Sequence, residues 1–133
     1  MPASSPRPRR LVIAEFYRTE TGNEPVREWL KTLSLVDRQA IGRDIRKVEY
    51  GWPIGMPTCD AIGQGLWEIR TNLENRIARI FFCRSGGSVV LLHGIIKKSR
   101  TAPKADLRTA RLRKANMEAR ISRLASAPPG SRV

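Results

Sequence analysis

Two apolar periods alternate along the chain, and together they predict its elements. Residues 10–17 carry bulk at Leu11, Val12, Ile13, Phe16 and Tyr17, as a strand does. Thr21-Gly22-Asn23 breaks that run. From Asn23 onward, with Pro25 suited to a first helical turn, Val26, Trp29, Leu30 and Leu33 recur three and four residues apart and make one apolar face. Ser34, with Asp37 three residues on, predicts a second helix start of the capping-box type. Ile41, Ile45 and Val48 continue the stripe until Gly51-Trp52-Pro53 ends it. These segments predict a helical hairpin over 23–51.

Residues 53–65 contain Pro53, Gly55, Pro57, Gly63 and Gly65 and read as a loop. The period then switches to that of strands. Residues 66–72 alternate, with Trp67 and Ile69 on one side and Glu68 and Arg70 on the other. Residues 75–84 carry Ile77, Ile80, Phe81 and Phe82, Ser85-Gly86-Gly87 is a hairpin turn, and 88–96 form an apolar strand. Pro103 suits the start of a last helix, along which Leu107, Ala110, Met117, Ile121 and Leu124 make a stripe interrupted by Lys114. The order predicts an α+β domain: an N-terminal strand and helical hairpin packed on an antiparallel sheet, then a C-terminal helix. The length of 133 residues suits one domain, placed at 10–124. The Pro- and Ser-rich flanks, 1–9 and 125–133, are expected to be disordered tails, the first of them basic.

Charge narrows the function. Lys and Arg number 25 against 12 Asp and Glu, a formal net charge of +13. An excess of one sign opposes compaction, and solubility needs much less of it. It points to a polyanionic partner, for which nucleic acid is the usual candidate, or to an acidic protein. Cys59 and Cys83 make no metal spacing and no disulfide framework, and His93 is the sole histidine, so no metal and no cofactor are expected. The opening residues lack the apolar stretch of a signal peptide and no apolar run is long enough to span a bilayer, so the expectation is an intracellular, cytoplasmic protein with no membrane partner.

No P-loop, GxSxG, HExxH or clustered acidic motif occurs. What stands out is a basic set near strand ends: Arg70, Arg76, Arg79, Lys97, Lys98 and Arg100, with His93 nearby. Such groups suit metal-independent RNA cleavage. The 2′-hydroxyl attacks the adjacent phosphate and displaces the 5′ oxygen, and fixed cations neutralise the charge that builds on the phosphate oxygens. A lysine and His93 are the candidates for the proton acceptor and the proton donor. Against this stands a plainer reading, in which the basic residues are solvated and His93, inside Leu91-Leu92-His93-Gly94-Ile95, is a hydrogen-bonded, partly buried side chain. The three tryptophans are expected to be core or loop anchors.

The strings Gly65-Leu66-Trp67-Glu68-Ile69-Arg70, Arg76-Ile77-Ala78-Arg79-Ile80-Phe81-Phe82, Leu91-Leu92-His93-Gly94-Ile95-Ile96-Lys97-Lys98 and Thr101-Ala102-Pro103, preceded by Pro25-Val26-Arg27-Glu28-Trp29-Leu30, resemble the RelE/ParE toxin superfamily in its HigB-like, phage-derived branch. The resemblance covers residues 10–118. It implies a RelE-like fold and a type II toxin–antitoxin system whose toxin is a ribosome-dependent mRNA endoribonuclease that inhibits translation. It also implies neutralisation by an antitoxin, often a helix-turn-helix, HigA-like protein, with ribosome and mRNA as the other partners. Residue by residue, it implies catalytic roles for Arg70, Arg79, Lys97 and Lys98; Arg76, His93, Arg100 and Lys104 are the candidate RNA-binding set. The chain departs from RelE in having no tyrosine after Tyr50 and in its long basic final helix. Two alternatives share the fold: a ParE-like inhibitor of DNA gyrase, and a non-catalytic nucleic-acid-binding regulator.

Overall fold

Helix ends fall where side chains can satisfy them. In the computed structural model, which describes residues 9–55, 57–97 and 104–126, α1 (Pro25–Lys31) starts with Pro25 in its first turn. The next helix, α2 (Leu35–Gly51), is capped by Ser34, whose Oγ accepts from the Asp37 amide at 3.2 Å. Asp37 does not complete the reciprocal half of the box; its carboxylate turns to Arg76 at 3.0 Å. Pro53 follows the C-cap Trp52 and stops the helix, as the hairpin reading required.

Five strands follow the order β1-β5-β4-β3-β2, with β1 (Ile13–Phe16), β2 (Cys59–Gly63), β3 (Leu66–Leu73), β4 (Arg76–Ser85) and β5 (Ser88–Lys97). The last helix is α3 (Lys104–Ala125). The β3–β4–β5 meander and the Gly86-Gly87 turn fall where the sequence put them. Two features go beyond that reading. Cys59–Gly63, expected as loop, is a short edge strand antiparallel to β3, joined to it through Gly63, Gln64 and Gly65, all at positive φ. The other is the edge strand β1, which runs parallel to β5 rather than antiparallel, so the sheet is mixed. More than 70 residues separate those two strands, ample for the crossover that parallel pairing needs. β1 is also shorter than the expected 10–17. The chain before it hooks onto the end of α2 instead, with the Leu11 and Val12 amides donating to the Glu49 carbonyl at 2.7 and 3.2 Å. The Glu49 carboxylate accepts from the Ala14 amide at 2.9 Å and so blunts the open edge.

The sheet divides the interior in two. On one face Ile69, Ala78, Ile80, Phe82, Val89 and Leu91 pack with Val26, Ile41 and Val48 of the hairpin; on the other Leu66, Phe81, Leu92 and Ile95 pack with Ala110 of α3. Burial on both faces explains why β4 and β5 read as continuous apolar runs rather than alternating ones. Trp52 meets Trp67 and Phe82 edge-on at 5.1 and 5.6 Å, so the tryptophans anchor the core as expected. Trp29 lies so close over Gly94 that a Cβ there would fall 2.4 Å from its ring. Of the expected tails, Arg9, Ala125 and Ser126 are described, Ala125 as the last residue of α3, and the rest lie outside the described residues.

Candidate functional site

Strand register decides which of the basic residues share a face. Arg70 and Arg79 stand directly opposite each other on β3 and β4, and the pair Glu68–Phe81 lies one step along the same face. Lys97, opposite Ile77, is two residues beyond Ile95, which pairs with Arg79, so it shares that face too. This is the α3 side of the sheet. Arg76 is an odd number of residues from Arg79 and faces the other way, towards α2, where it binds Asp37. Lys104 is exposed at the start of α3, and Lys98 and Arg100 lie outside the described residues.

A chain of charges runs across the face. Glu68, 1% exposed, accepts from Arg79 Nη1 at 2.8 Å and from Arg70 Nε at 2.5 Å. Arg70 Nη2 reaches on to Asp60 of β2 at 3.4 Å. Arg79 is itself 2% exposed. The family resemblance implied a catalytic role for it; in the structure its guanidinium meets the Glu68 carboxylate inside the domain. Arg70 differs: it is a third exposed, and its Nη1 has no protein partner among the described residues and is not enclosed. Two carboxylates therefore fix its planar fork while one edge stays available, an arrangement that suits recognition of phosphate oxygens.

His93 is partly buried and hydrogen-bonded. A register shift opposite Phe81 and Phe82 leaves Leu92 without a Cα partner, a β-bulge that turns both Leu92 and His93 towards α3. Helix α3 takes up the freed groups. Arg113 Nη1 donates to the Leu92 carbonyl at 2.8 Å and meets His93 Nδ1 at 3.2 Å, while His93 Nε2 meets Asp106 at 2.7 Å. Both ring nitrogens are thus engaged, and the ring stacks on Phe81. Burial pushes the Arg113 guanidinium below its ordinary range, with Tyr17 acting weakly the other way.

Glu68, Asp60, Asp106 and Arg113 are the members that sequence reading missed. Glu68 had a signal: it alternates onto the same side as Arg70, between Trp67 and Ile69. The other three reach the site only through tertiary packing. The buried thiols take no part. Burial, helped by Asp44, pushes Cys59 up to about 11, and burial does the same to Cys83. Among the described residues, no group of three or more His, Cys, Asp or Glu side chains is placed to hold a metal ion, and no helix is long and apolar enough to cross a membrane.

Residues 28–115, well over half of the chain, match the family described as phage-derived protein Gp49-like (DUF891). The chain belongs to this family. Gp49-like proteins are RelE- and toxin-like, and the hairpin, mixed sheet and C-terminal helix are consistent with a RelE-like fold. No curated protein matches the chain.

Proposed function

We propose that this Gp49-like protein is the toxin of a type II toxin–antitoxin pair, of the HigB-like branch, and that it cuts mRNA on the ribosome without a metal. The observation that carries the reading is Arg70, clamped between Glu68 and Asp60 with one edge of its guanidinium left outward. Lys97 is two strands away on the same face and two residues further along, roughly 12 Å between Cα atoms from ordinary sheet dimensions. Two long cationic side chains can meet one phosphate across that span. Arg70 supplies a fork for two phosphate oxygens and Lys97 a point charge. Lys98, the next residue in the chain, serves the same phosphate, and Arg100 and Lys104 contact flanking backbone; Arg76, held by Asp37 on the other face, meets RNA only outside this site. Glu68 and the buried Arg79 position Arg70. With both nitrogens occupied, His93 holds α3 in place rather than moving a proton.

Charge supports the partner assignments. A net +13 favours the ribosome and mRNA, and it favours an acidic segment of a helix-turn-helix antitoxin that covers the cationic face. The working compartment is the cytoplasm, where those partners are. Induced expression in growing cells separates the readings. The proposal expects growth arrest with rapid loss of full-length mRNA, intact chromosomal DNA, and rescue by the product of an adjacent small gene. DNA breaks with intact mRNA would assign the chain to gyrase instead, and undisturbed growth would overturn the toxin reading.

A further inference from the structure

Helix α2 and strand β3 enclose a groove of about 260 Å³ that has no part in the site described above except through Arg70. Arg43, Asp44 and Lys47 line it from α2, Thr58 from the turn before β2, and Arg70 and Asn72 from β3. Its walls hold no aromatic ring and no large aliphatic side chain. The groove between β1 and α3 is more apolar, with Phe16, Val90, Met117, Ile121 and Leu124 beside Glu15, Arg18 and Arg120.

Charge around the α2–β3 groove is unevenly balanced. Arg70 is offset by Glu68 and Asp60, and Lys47 holds Asp44 at 3.3 Å. Arg43 is exposed and forms no hydrogen bond or ion pair among the described residues. The outer surface of α2 adds exposed Arg38 and Arg46, while its two aspartates are each tied to a cation, Asp37 to Arg76 and Asp44 to Lys47. Arg43 and Lys47 are one helical turn apart, so they lie side by side along the groove.

We propose that this groove binds the sugar–phosphate backbone of a single RNA strand and leads it to Arg70. The choice of RNA rests on the reading of the protein as an mRNA-cutting toxin; the choice of a phosphodiester rests on the groove. Hydroxyl, amide and cationic groups suit phosphate and ribose, and the lack of a stacking surface leaves the bases unread. Arg70 lines this groove although its strand position is on the α3 side. Strand β2 pairs with β3 only as far as Ile69, so Arg70 stands at the sheet edge, where an RNA strand lying along Arg43 and Lys47 can pass round to bring a neighbouring phosphate to the reaction centre. Binding there is tolerant of sequence and sensitive to salt.

The test is binding of the full chain to a short single-stranded RNA whose 2′-hydroxyls are methylated, so that it cannot be cut, over a range of salt concentrations. Wild type is compared with Arg43→Ala/Lys47→Ala and with Arg27→Ala/Lys31→Ala, which removes the same charge from exposed positions on α1. The groove variant should weaken binding and flatten the dependence of log affinity on log salt by about 1.4, roughly 0.7 for each lost phosphate contact. The α1 variant should keep nearly the wild-type slope. Equal losses in the two variants, or no loss in the groove variant, would overturn the proposal. Binding through the groove by a protein that never cuts mRNA would leave the proposal standing and defeat the nuclease reading. Cutting by a protein whose groove variant binds like wild type would do the reverse.

Discussion

Against the helical hairpin the sheet presents Ile69, Ala78, Ile80, Phe82, Val89 and Leu91, all apolar and all buried. Against α3 it presents Phe81, Leu92 and Ile95 interspersed with Glu68, Arg79 and His93. The first face closes by shape, as the fit of Trp29 over Gly94 shows. The second also closes by pairing charges, which is an inefficient way to gain stability. Desolvating two ions offsets much of their attraction, and an apolar pair of similar size often does as well or better. What the ion chain does achieve is a fixed Arg70. The contrast teaches that the hairpin face makes the fold and the α3 face spends stability on holding Arg70 in place.

The largest expected effect comes from breaking the charge chain while leaving its volume. Glu68→Gln removes the negative charge that faces the buried Arg79 guanidinium and should cost about 3–5 kcal/mol, as loss of one ion of a buried pair does. Phe82→Ala on the other face should cost about as much, roughly 3–5 kcal/mol. Repair separates the two faces. Glu68→Leu/Arg79→Met should return the urea midpoint to near wild type or above it, yet leave mRNA cutting impaired because Arg70 has lost its anchor. Full activity in that repaired variant would mean that the ion chain serves the fold alone.

A middle-sized effect belongs to the apolar face. Gly94→Ala drives a methyl into the Trp29 ring and should destabilise by about 1–3 kcal/mol, the usual range for overpacking. A smaller ring partner should relieve it, so Trp29→Leu/Gly94→Ala should lose less than the two single losses added together. Strict additivity in denaturant titrations would show that the two residues do not press on each other.

The smallest effect concerns α3. His93→Gln removes the contact to Asp106 from a partly exposed place and should cost about 0.5–1.5 kcal/mol, a typical net hydrogen bond. Its signature is local: amide exchange should speed up in the first half of α3 and stay unchanged in α2. Uniform acceleration across both helices would contradict the view that His93 holds α3 specifically.

Much of this was legible in sequence, and the rest was not for definite reasons. Ser34, Pro53 and Gly86-Gly87 mark local events, and the structure honours each. Continuous apolar stretches such as Ile80-Phe81-Phe82-Cys83 carry the further message that both faces of the sheet are covered. The edge strand β2 stayed hidden because its pairing partner, not its own Gly-rich composition, makes it a strand. Parallel pairing of β1 with β5 is a long-range choice that no local pattern encodes. At the site, strand period already separates Arg76 from Arg79, three residues apart. The interior position of Arg79 becomes clear only once α3 covers the sheet, and the contacts that Arg113 and Asp106 make with β5 are purely tertiary.

Translating ribosomes carrying a defined mRNA give the most direct test of the central claim that Arg70 and Lys97 stabilise a phosphate under attack by its own 2′-hydroxyl. Wild-type protein should leave a 2′,3′-cyclic or 3′-phosphate and a 5′-hydroxyl. A 2′-deoxy substitution at the cleaved nucleotide should abolish the cut. Arg70→Ala and Lys97→Ala should each slow cutting by roughly 10²–10³-fold, by analogy with loss of one donor to a developing oxyanion. Full-speed cutting of the 2′-deoxy message, or wild-type rates in both variants, would contradict the account.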